Sequence, residues 1–250
     1  MSSVTKAAKL LLPRYVFDLL WRRRFRRSIS QNNRGLTTQE IFTRIYTERA
    51  WGHSTDPSEK YYSGTGSRDQ TIVQPYIDSV SQFLRSFEVR PNVVDVGCGD
   101  FFVGSQLRPL CESYIACDIV APLIDFNKER FKSLNVDFRV LDLTKDELPH
   151  GDIIFIRQVL QHLSNKQIRN ALPEIARKFK YLVLTEHLPA SESFTHNLDI
   201  PGGALFRLPI QSGVVLTSPP FNLIAKGQRT LCQREEAGAG GIIKTTLYDL

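Results

Sequence analysis

The sequence has little cysteine: four residues in 250, at Cys98, Cys111, Cys117 and Cys232. They form no CxxC pair and no dense framework, which argues against a disulfide scaffold and against structural zinc. A reduced, cytoplasmic setting is the expectation. Long apolar runs are also missing. None approaches the roughly 18–20 residues that a membrane-crossing helix needs, so a polytopic membrane protein is excluded. There is no internal repeat, which excludes solenoids and arrays. What is present is an ordinary globular balance, 42% hydrophobic and 23% charged, enough to bury a core. A single globular domain takes roughly 100–200 residues, so the length fits one domain with extras rather than two full domains.

Charge is unevenly placed. The net charge is +6, yet residues 1–34 hold nine basic side chains against Asp18, so residues 35–250 sum to −2. The high isoelectric point belongs to the N-terminal segment. Nucleic-acid enzymes usually carry basic surface beside the site, so no nucleic-acid partner is expected of the body. Residues 1–34 form a basic amphipathic segment, with Leu10–Leu12, Val16, Phe17 and Leu19–Trp21 ahead of an arginine cluster. One reading is an interfacial helix, through residues 6–27, on an anionic membrane surface. A second is a helix packed on the domain, and a third is a targeting or recruiting segment. Arg14 and Asp18 interrupt the apolar stretch and no small-residue cleavage site follows, unlike a secretory signal.

Residues 35–250 read as the folded body. Residues 37–50 have helical spacing, with Ile41, Ile45 and Tyr46 on one side. Polar residues 52–67 form a loop. Ser67 and Gln70 fit a capping box, and Pro75 suggests that the following helix kinks or begins near Gln74. Short apolar strands then follow at 92–96, 114–119, 136–141, 152–156 and 181–185, with helical stretches between them. One of these opens with a Ser164-x-x-Gln167 capping box. Residues 241–248 read as a closing strand. Buried strands alternating with helices specify an α/β fold with a doubly wound parallel sheet.

The first strand runs into Asp95-Val96-Gly97-Cys98-Gly99-Asp100-Phe101. Glycines at 97 and 99, between a strand and a helix, allow close approach of a nucleotide-like ligand. The dinucleotide pattern wants a further glycine at 102, where Phe102 stands. Asp100 would repel a pyrophosphate, whereas carboxylates at Asp95 and Asp100 suit a sulfonium and an ammonium. This favours S-adenosylmethionine over NAD. Asp118, ending the second strand, suits a ribose diol, and Asp142, ending the third, suits an adenine amino group. Each also fits a plain capping role.

Taken together, DVGCGDF, ACDI, VLDL and DIIFIRQVLQHLS resemble the class I S-adenosylmethionine-dependent methyltransferases over about residues 65–190. The resemblance implies a Rossmann-like, doubly wound seven-stranded sheet with an antiparallel last strand. It places the methionine part of the cofactor at Asp95, Gly97 and Gly99, the ribose at Asp118 and the adenine by Asp142. The family's third glycine is replaced here by Phe101. Trp51 and Ser63–Ser67 resemble the entry segment of a bacterial subgroup found with cell-surface glycan or natural-product genes.

Ligands sit beyond the carboxyl ends of such strands, so the acceptor wall is sought after strands four and five. After strand four stand Arg157, Gln158 (assigned to the cofactor side) and His162. After strand five stand Glu186, His187, His196, Asn197, Asp199 and Arg207. His162, Glu186 and His187 are the catalytic candidates, each with a structural alternative. Residues 188–221 are long and irregular and read as an acceptor-pocket insertion. The spacing of His187, His196 and Asp199 matches no standard metal motif, so no metal is expected. Ser218-Pro219-Pro220-Phe221 resembles a base-amine methylation signature but lies far past strand four, and is read as a bend before an edge strand. Cys98 is read as a packing residue. The expected activity is methyl transfer to a small-molecule or sugar-like (glycan-type) acceptor, at oxygen. The alternatives are an RNA or protein methyltransferase recruited by the N-terminus, and a non-catalytic cofactor-binding scaffold.

Overall fold

The computed structural model describes residues 33–191, 193–236 and 240–250. The membrane-surface, packing and targeting readings of residues 6–27 therefore lie outside the described residues. Thr37–Leu250 forms one compact unit.

Helix α1 (Thr38–Thr47) is opened by Thr37, which accepts the Glu40 N–H while Glu40 reaches back to the Thr37 N–H, and it buries Ile41, Phe42 and Ile45. Such reciprocal caps satisfy two orphan amides of the first turn. Helix α2 (Gln70–Arg85) corrects the sequence expectation at its start. Asp69, not Ser67, is the cap, accepting the Thr71 N–H, and the helix begins at Gln70 with Pro75 inside it. Its buried stripe, Val73, Tyr76, Ile77, Val80, Phe83 and Leu84, explains why the early turn holds in spite of proline.

Strands β1 (Val93–Val96), β2 (Tyr114–Asp118), β3 (Asp137–Val140), β4 (Ile153–Arg157) and β5 (Tyr181–Leu188) alternate with α3 (Phe102–Leu107), α4 (Ala121–Arg130) and α5 (Asn165–Lys178). Strands β6 (Thr195–His196) and β7 (Ser212–Gly213) make a small parallel pair inside the insertion. Strands β8 (Gly227–Glu235) and β9 (Ile242–Asp249) close the chain. The main sheet has seven strands in the order β3-β2-β1-β4-β5-β9-β8. β1 to β5 pair in parallel, and β9 runs antiparallel to both β5 and β8. This is the class I methyltransferase fold. Helix α5 carries the expected Ser164–Gln167 capping box.

Two strands differ from the sequence reading. β8 was not marked by apolar alternation, because it is an edge strand whose residues are mostly exposed. β5 continues three residues past Thr185, paired through Leu188 with β9. Glu186 and His187 are thus inside a strand and project to opposite faces.

Candidate active site

The site is built at the carboxyl ends of β1, β2, β4 and β5. One cavity of ≈ 320 Å³ there is lined by Asp95, Gly97, Gly99, Asp100, Asp118, Asp142, Gln158, His162 and His187, among others. Nine of the ten catalytic and cofactor candidates therefore meet in one place. Glu186 is the exception: it does not line the cavity.

The glycine turn follows β1. Gly97 and Gly99 have φ of +75° and +56°. A Cβ at Gly97 would lie 2.3 Å from Val159 Cγ2, and one at Gly99 2.4 Å from Ser63 Oγ. Both positions thus need glycine for conformation and for space. Phe101 is also left-handed, at φ 57°, and fully buried. Its ring packs into the core against Phe138, Phe131 and Tyr114 at 4.9, 5.2 and 5.5 Å. The replaced third glycine therefore keeps the left-handed backbone of the turn and sends its ring away from the cavity.

Asp118 is buried at the end of β2. Its carboxylate accepts the N–H of Gly99 and of Val120, each at 3.0 Å. Burial nonetheless pushes its carboxyl up to about 6. Two of its roughly four lone pairs remain for a ligand diol. Asp95 accepts the Tyr114 hydroxyl at 2.9 Å, and burial pushes its carboxyl up to about 7. Asp142 caps its own loop, accepting the N–H and hydroxyl of Thr144 at 2.9 and 2.7 Å, with Lys145 at 3.4 Å.

Asp100 has a different task from the one expected of it. Its carboxylate accepts Arg68 Nε and the Ser63 N–H at 3.0 Å, and the Phe102 N–H at 3.2 Å. Arg68 in turn reaches Glu59 at 2.6 Å and lies 4.4 Å over the Phe102 ring. Asp100 fastens the entry segment onto the glycine turn, and its charge is met by Arg68. The repulsion of phosphate inferred from Asp100 is correspondingly weaker, and acceptor-only chemistry rests on Asp95 and Asp118. Gln158 lines the cavity with its amide oxygen 3.2 Å from half-buried Arg157, which also donates to Ser67 and to the Gly66 carbonyl.

On the far wall, His162 is buried and burial pulls it down to about 4, so its imidazole is neutral. Nδ1 lies 3.3 Å from the Leu205 carbonyl, which can only accept, so Nδ1 carries the proton. The bare Nε2 is 3.2 Å from the Gln161 amide nitrogen. Both nitrogens are therefore engaged. Gln161 Oε1 accepts the His187 N–H at 3.1 Å. His187 is 6% exposed, also lowered by burial, and stacked on Phe206 at 5.3 Å and 13°. Its Nε2 is buried with no hydrogen-bond partner among the described residues, and the Glu236 carboxylate lies 3.9 Å away.

Behind this wall, Arg207 is 1% exposed and spends all five N–H groups. They go to the carbonyls of Leu198, Leu160, Gln161 and Leu163 and to Asn165 Oδ1, at 2.7–3.1 Å. Glu186 is buried beside it, pushed up to about 8 by burial, against the pull of Arg207. Arg207 thus holds the turn that presents Gln161 and His162, whereas both Glu186 oxygens are buried without a hydrogen-bond partner among the described residues. Asn197 ties the bend at Val215, Ser218 and Pro219. Asp199 accepts the Asn165 N–H, and exposed His196 meets Ser218 at 2.8 Å. None of these four insertion and bend positions lines the cavity, and no group of metal-ligating side chains occurs among the described residues. Ser218–Phe221 also lies outside the cavity, ahead of the edge strand β8, as read. The Cys98 thiol is pushed well up by burial, against a nucleophilic role. Sequence reasoning missed Phe42, Tyr46, Gln161, Phe206 and Glu236 of the lining. An aromatic in a helix or irregular loop carries no local mark of facing a ligand.

Residues 93–181 match a family model described as a methyltransferase domain. The match covers 89 of the 250 residues, and the fold is that of the class I S-adenosylmethionine-dependent methyltransferases. No curated protein matches the sequence. Among solved structures, the N-methyltransferase NodS from Bradyrhizobium japonicum WM9, in complex with S-adenosyl-L-homocysteine, is similar at 16% identity and TM-score 0.55, over 82% of this chain and 98% of that one. Magnesium protoporphyrin IX methyltransferase from Synechocystis PCC 6803, with bound S-adenosylmethionine, is similar at 14% identity and TM-score 0.54, over 87% and 100%. Human N-acetylserotonin methyltransferase is similar at 18% identity and TM-score 0.52, over 86% and 60%. The residues present fit S-adenosylmethionine: glycines that leave a cradle a Cβ would fill, and buried carboxylates for cationic and hydroxyl groups. No helix among the described residues is long and apolar enough to cross a membrane.

Proposed function

We propose that this methyltransferase acts at a hydroxyl of a small-molecule acceptor, with His187 taking the proton. The observation that carries the reading is His187, which lines the same cavity as the glycine cradle and whose buried Nε2 has no hydrogen-bond partner among the described residues. The fold is shared with enzymes named for N-acetylserotonin and for magnesium protoporphyrin IX, which suits such an acceptor.

In this reading Asp95, Gly97 and Gly99 hold the methionine part of the cofactor, Asp118 the ribose, and Asp142 and Gln158 flank the rest. S-adenosylmethionine, when bound, supplies a methyl carbon activated by positive sulfur. The chain's contribution is to hold an acceptor in line, exclude water and receive one proton. His187 is better placed for the proton than His162, whose two nitrogens are already engaged. Glu186, facing away from the cavity, is assigned no contact with the acceptor. Residues 1–34 are assigned no part in turnover.

Calorimetric titration with S-adenosyl-L-homocysteine, with NADH as control, tests the cofactor side. Micromolar binding of the first alone is expected. Deleting residues 1–34 tests the acceptor class: turnover on small acceptors survives if the reading holds, and collapses if the segment recruits a macromolecule.

A further inference from the structure

The acceptor wall is unusually aromatic. Trp51 stands 5.2 Å from His162, 5.3 Å from Tyr46 and 6.2 Å from Phe42. Phe206 stands 6.4 Å from His162 and nearly parallel to His187. All six rings line the cavity. They come from α1, the entry segment, the turn after β4, β5 and the insertion. Trp51 Nε1 donates to the Ala204 carbonyl at 3.3 Å, which joins the entry segment to the insertion at this wall.

The polar inventory is correspondingly short. The single lysine or arginine among the described lining residues is Arg157, whose two Nη groups bond Gly66, Ser67 and Gln158, whose Nε is buried without a partner among the described residues, and which lies 5.1 Å over Tyr76. The lining otherwise carries carboxylates, Glu236 beside His187 among them, so a phosphate or carboxylate there would meet like charge. Gln161 spends both ends of its amide on His162 and His187. A polyol in this wall would leave most of its hydroxyls without partners. A flat ring with one hydroxyl would not. Aromatic surfaces attract aromatic surfaces in stacked or edge-on geometry. His187, 6% exposed, with no hydrogen-bond partner for its Nε2 among the described residues and the Glu236 carboxylate 3.9 Å away, provides for one hydroxyl.

We propose that the acceptor is an uncharged planar aromatic compound with a ring hydroxyl, seated against Trp51 and Phe206 with that hydroxyl at His187 Nε2. This narrows the acceptor from the sugar-like class and rests on the methyltransferase reading above. The hydroxyl oxygen forms its bond to the methyl carbon as the carbon–sulfur bond breaks. The bonding pair stays on sulfur, giving S-adenosyl-L-homocysteine, and the hydroxyl proton passes to His187.

The test uses the full chain. Ligand-observed NMR with S-adenosyl-L-homocysteine present is recorded for catechol and 4-methylphenol, and for methyl β-glucoside, glucose 6-phosphate and cyclohexylmethylamine. The same compounds are then incubated with S-adenosylmethionine and read by mass spectrometry. Binding and O-methylation of a phenol are expected, with no signal from the sugars. Trp51→Leu and Phe206→Leu should each raise the phenol KM about 3- to 10-fold while the cofactor product binds as before. His187→Gln should lower turnover by about 10²- to 10⁴-fold with phenol binding kept. Preference for the glucoside, the phosphate or the amine overturns the proposal, and so does failure of both phenols to bind while the cofactor product binds. Failure of the cofactor product to bind overturns the methyltransferase reading instead.

Discussion

Replacing Arg207 with methionine should unfold the acceptor wall before it touches any chemistry. The guanidinium makes five hydrogen bonds, four to carbonyls and one to Asn165 Oδ1, all in buried surroundings. A hydrogen bond to a charged group contributes about 1.5–3 kcal/mol, so five in isolation would sum to roughly 7–15 kcal/mol. Burying the guanidinium opposes this by several kcal/mol, and burial already pulls it down to about 10. Glu186, pushed up to about 8, is mostly protonated at neutral pH, so losing its charge partner adds little. The net expectation is a loss of about 3–5 kcal/mol, the range for breaking a buried polar network from one side. For a unit spanning Thr37–Leu250, that is a fall of about 6–20 °C in Tm. Urea unfolding of the cofactor-free protein, followed by tryptophan fluorescence, gives the free energy directly. Arg207→Lys, with three donors in place of five, should fall between wild type and methionine. A loss below about 1 kcal/mol for Arg207→Met would refute the view that this side chain holds the turn at Gln161 and His162.

Asp118→Ala should weaken S-adenosyl-L-homocysteine by about 1–3 kcal/mol, roughly 5- to 150-fold, in calorimetry. An unchanged Kd would remove Asp118 from the cofactor site. The ionised forms of Asp118 and Asp95 are the ones that bind, and their carboxyls sit at about 6 and about 7, above the ordinary range. Affinity should therefore drop as pH falls from 8 through 6, with protons released on binding near pH 6.5, and a buffer-independent enthalpy there would count against it. The same raised values work the other way on the free fold: these two groups hold protons more tightly when folded, so their contribution to stability is lost as pH rises through 6 and 7. Gly97→Ala meets Val159 Cγ2 at 2.3 Å and a φ of +75°, so a loss of about 2 kcal/mol or more is expected in urea unfolding. Adding Val159→Ala should restore only the steric part, and full restoration would show that the left-handed backbone costs nothing.

The glycine turn and the strand-end aspartates were legible because their signals are local. A glycine between a strand and a helix, or an aspartate at a strand end, has its backbone and its neighbours set by adjacent residues. Gly97, Gly99, Asp95, Asp118 and Asp142 accordingly line the cavity. The alternation of apolar strands with amphipathic helices fixed the parallel sheet for the same reason. The bounds of strand β8 escaped because an edge strand needs no apolar face.

The acceptor half was decided by tertiary structure. Whether Glu186 or His187 faces the cavity depends on how far β5 extends, which is set by pairing with β9 some 60 residues later. Asp100 looks like a ligand for a cation until Arg68 is folded onto it. His162 and His187 are alike in sequence, and only the carbonyl of Leu205 and the amide of Gln161 leave one engaged and the other open. Short-range patterns determine backbone conformation, and hence the fold and its glycine cradle. Contacts between distant segments determine which buried polar atoms are satisfied, and so whether a histidine such as His187 keeps a nitrogen for the proposed acceptor.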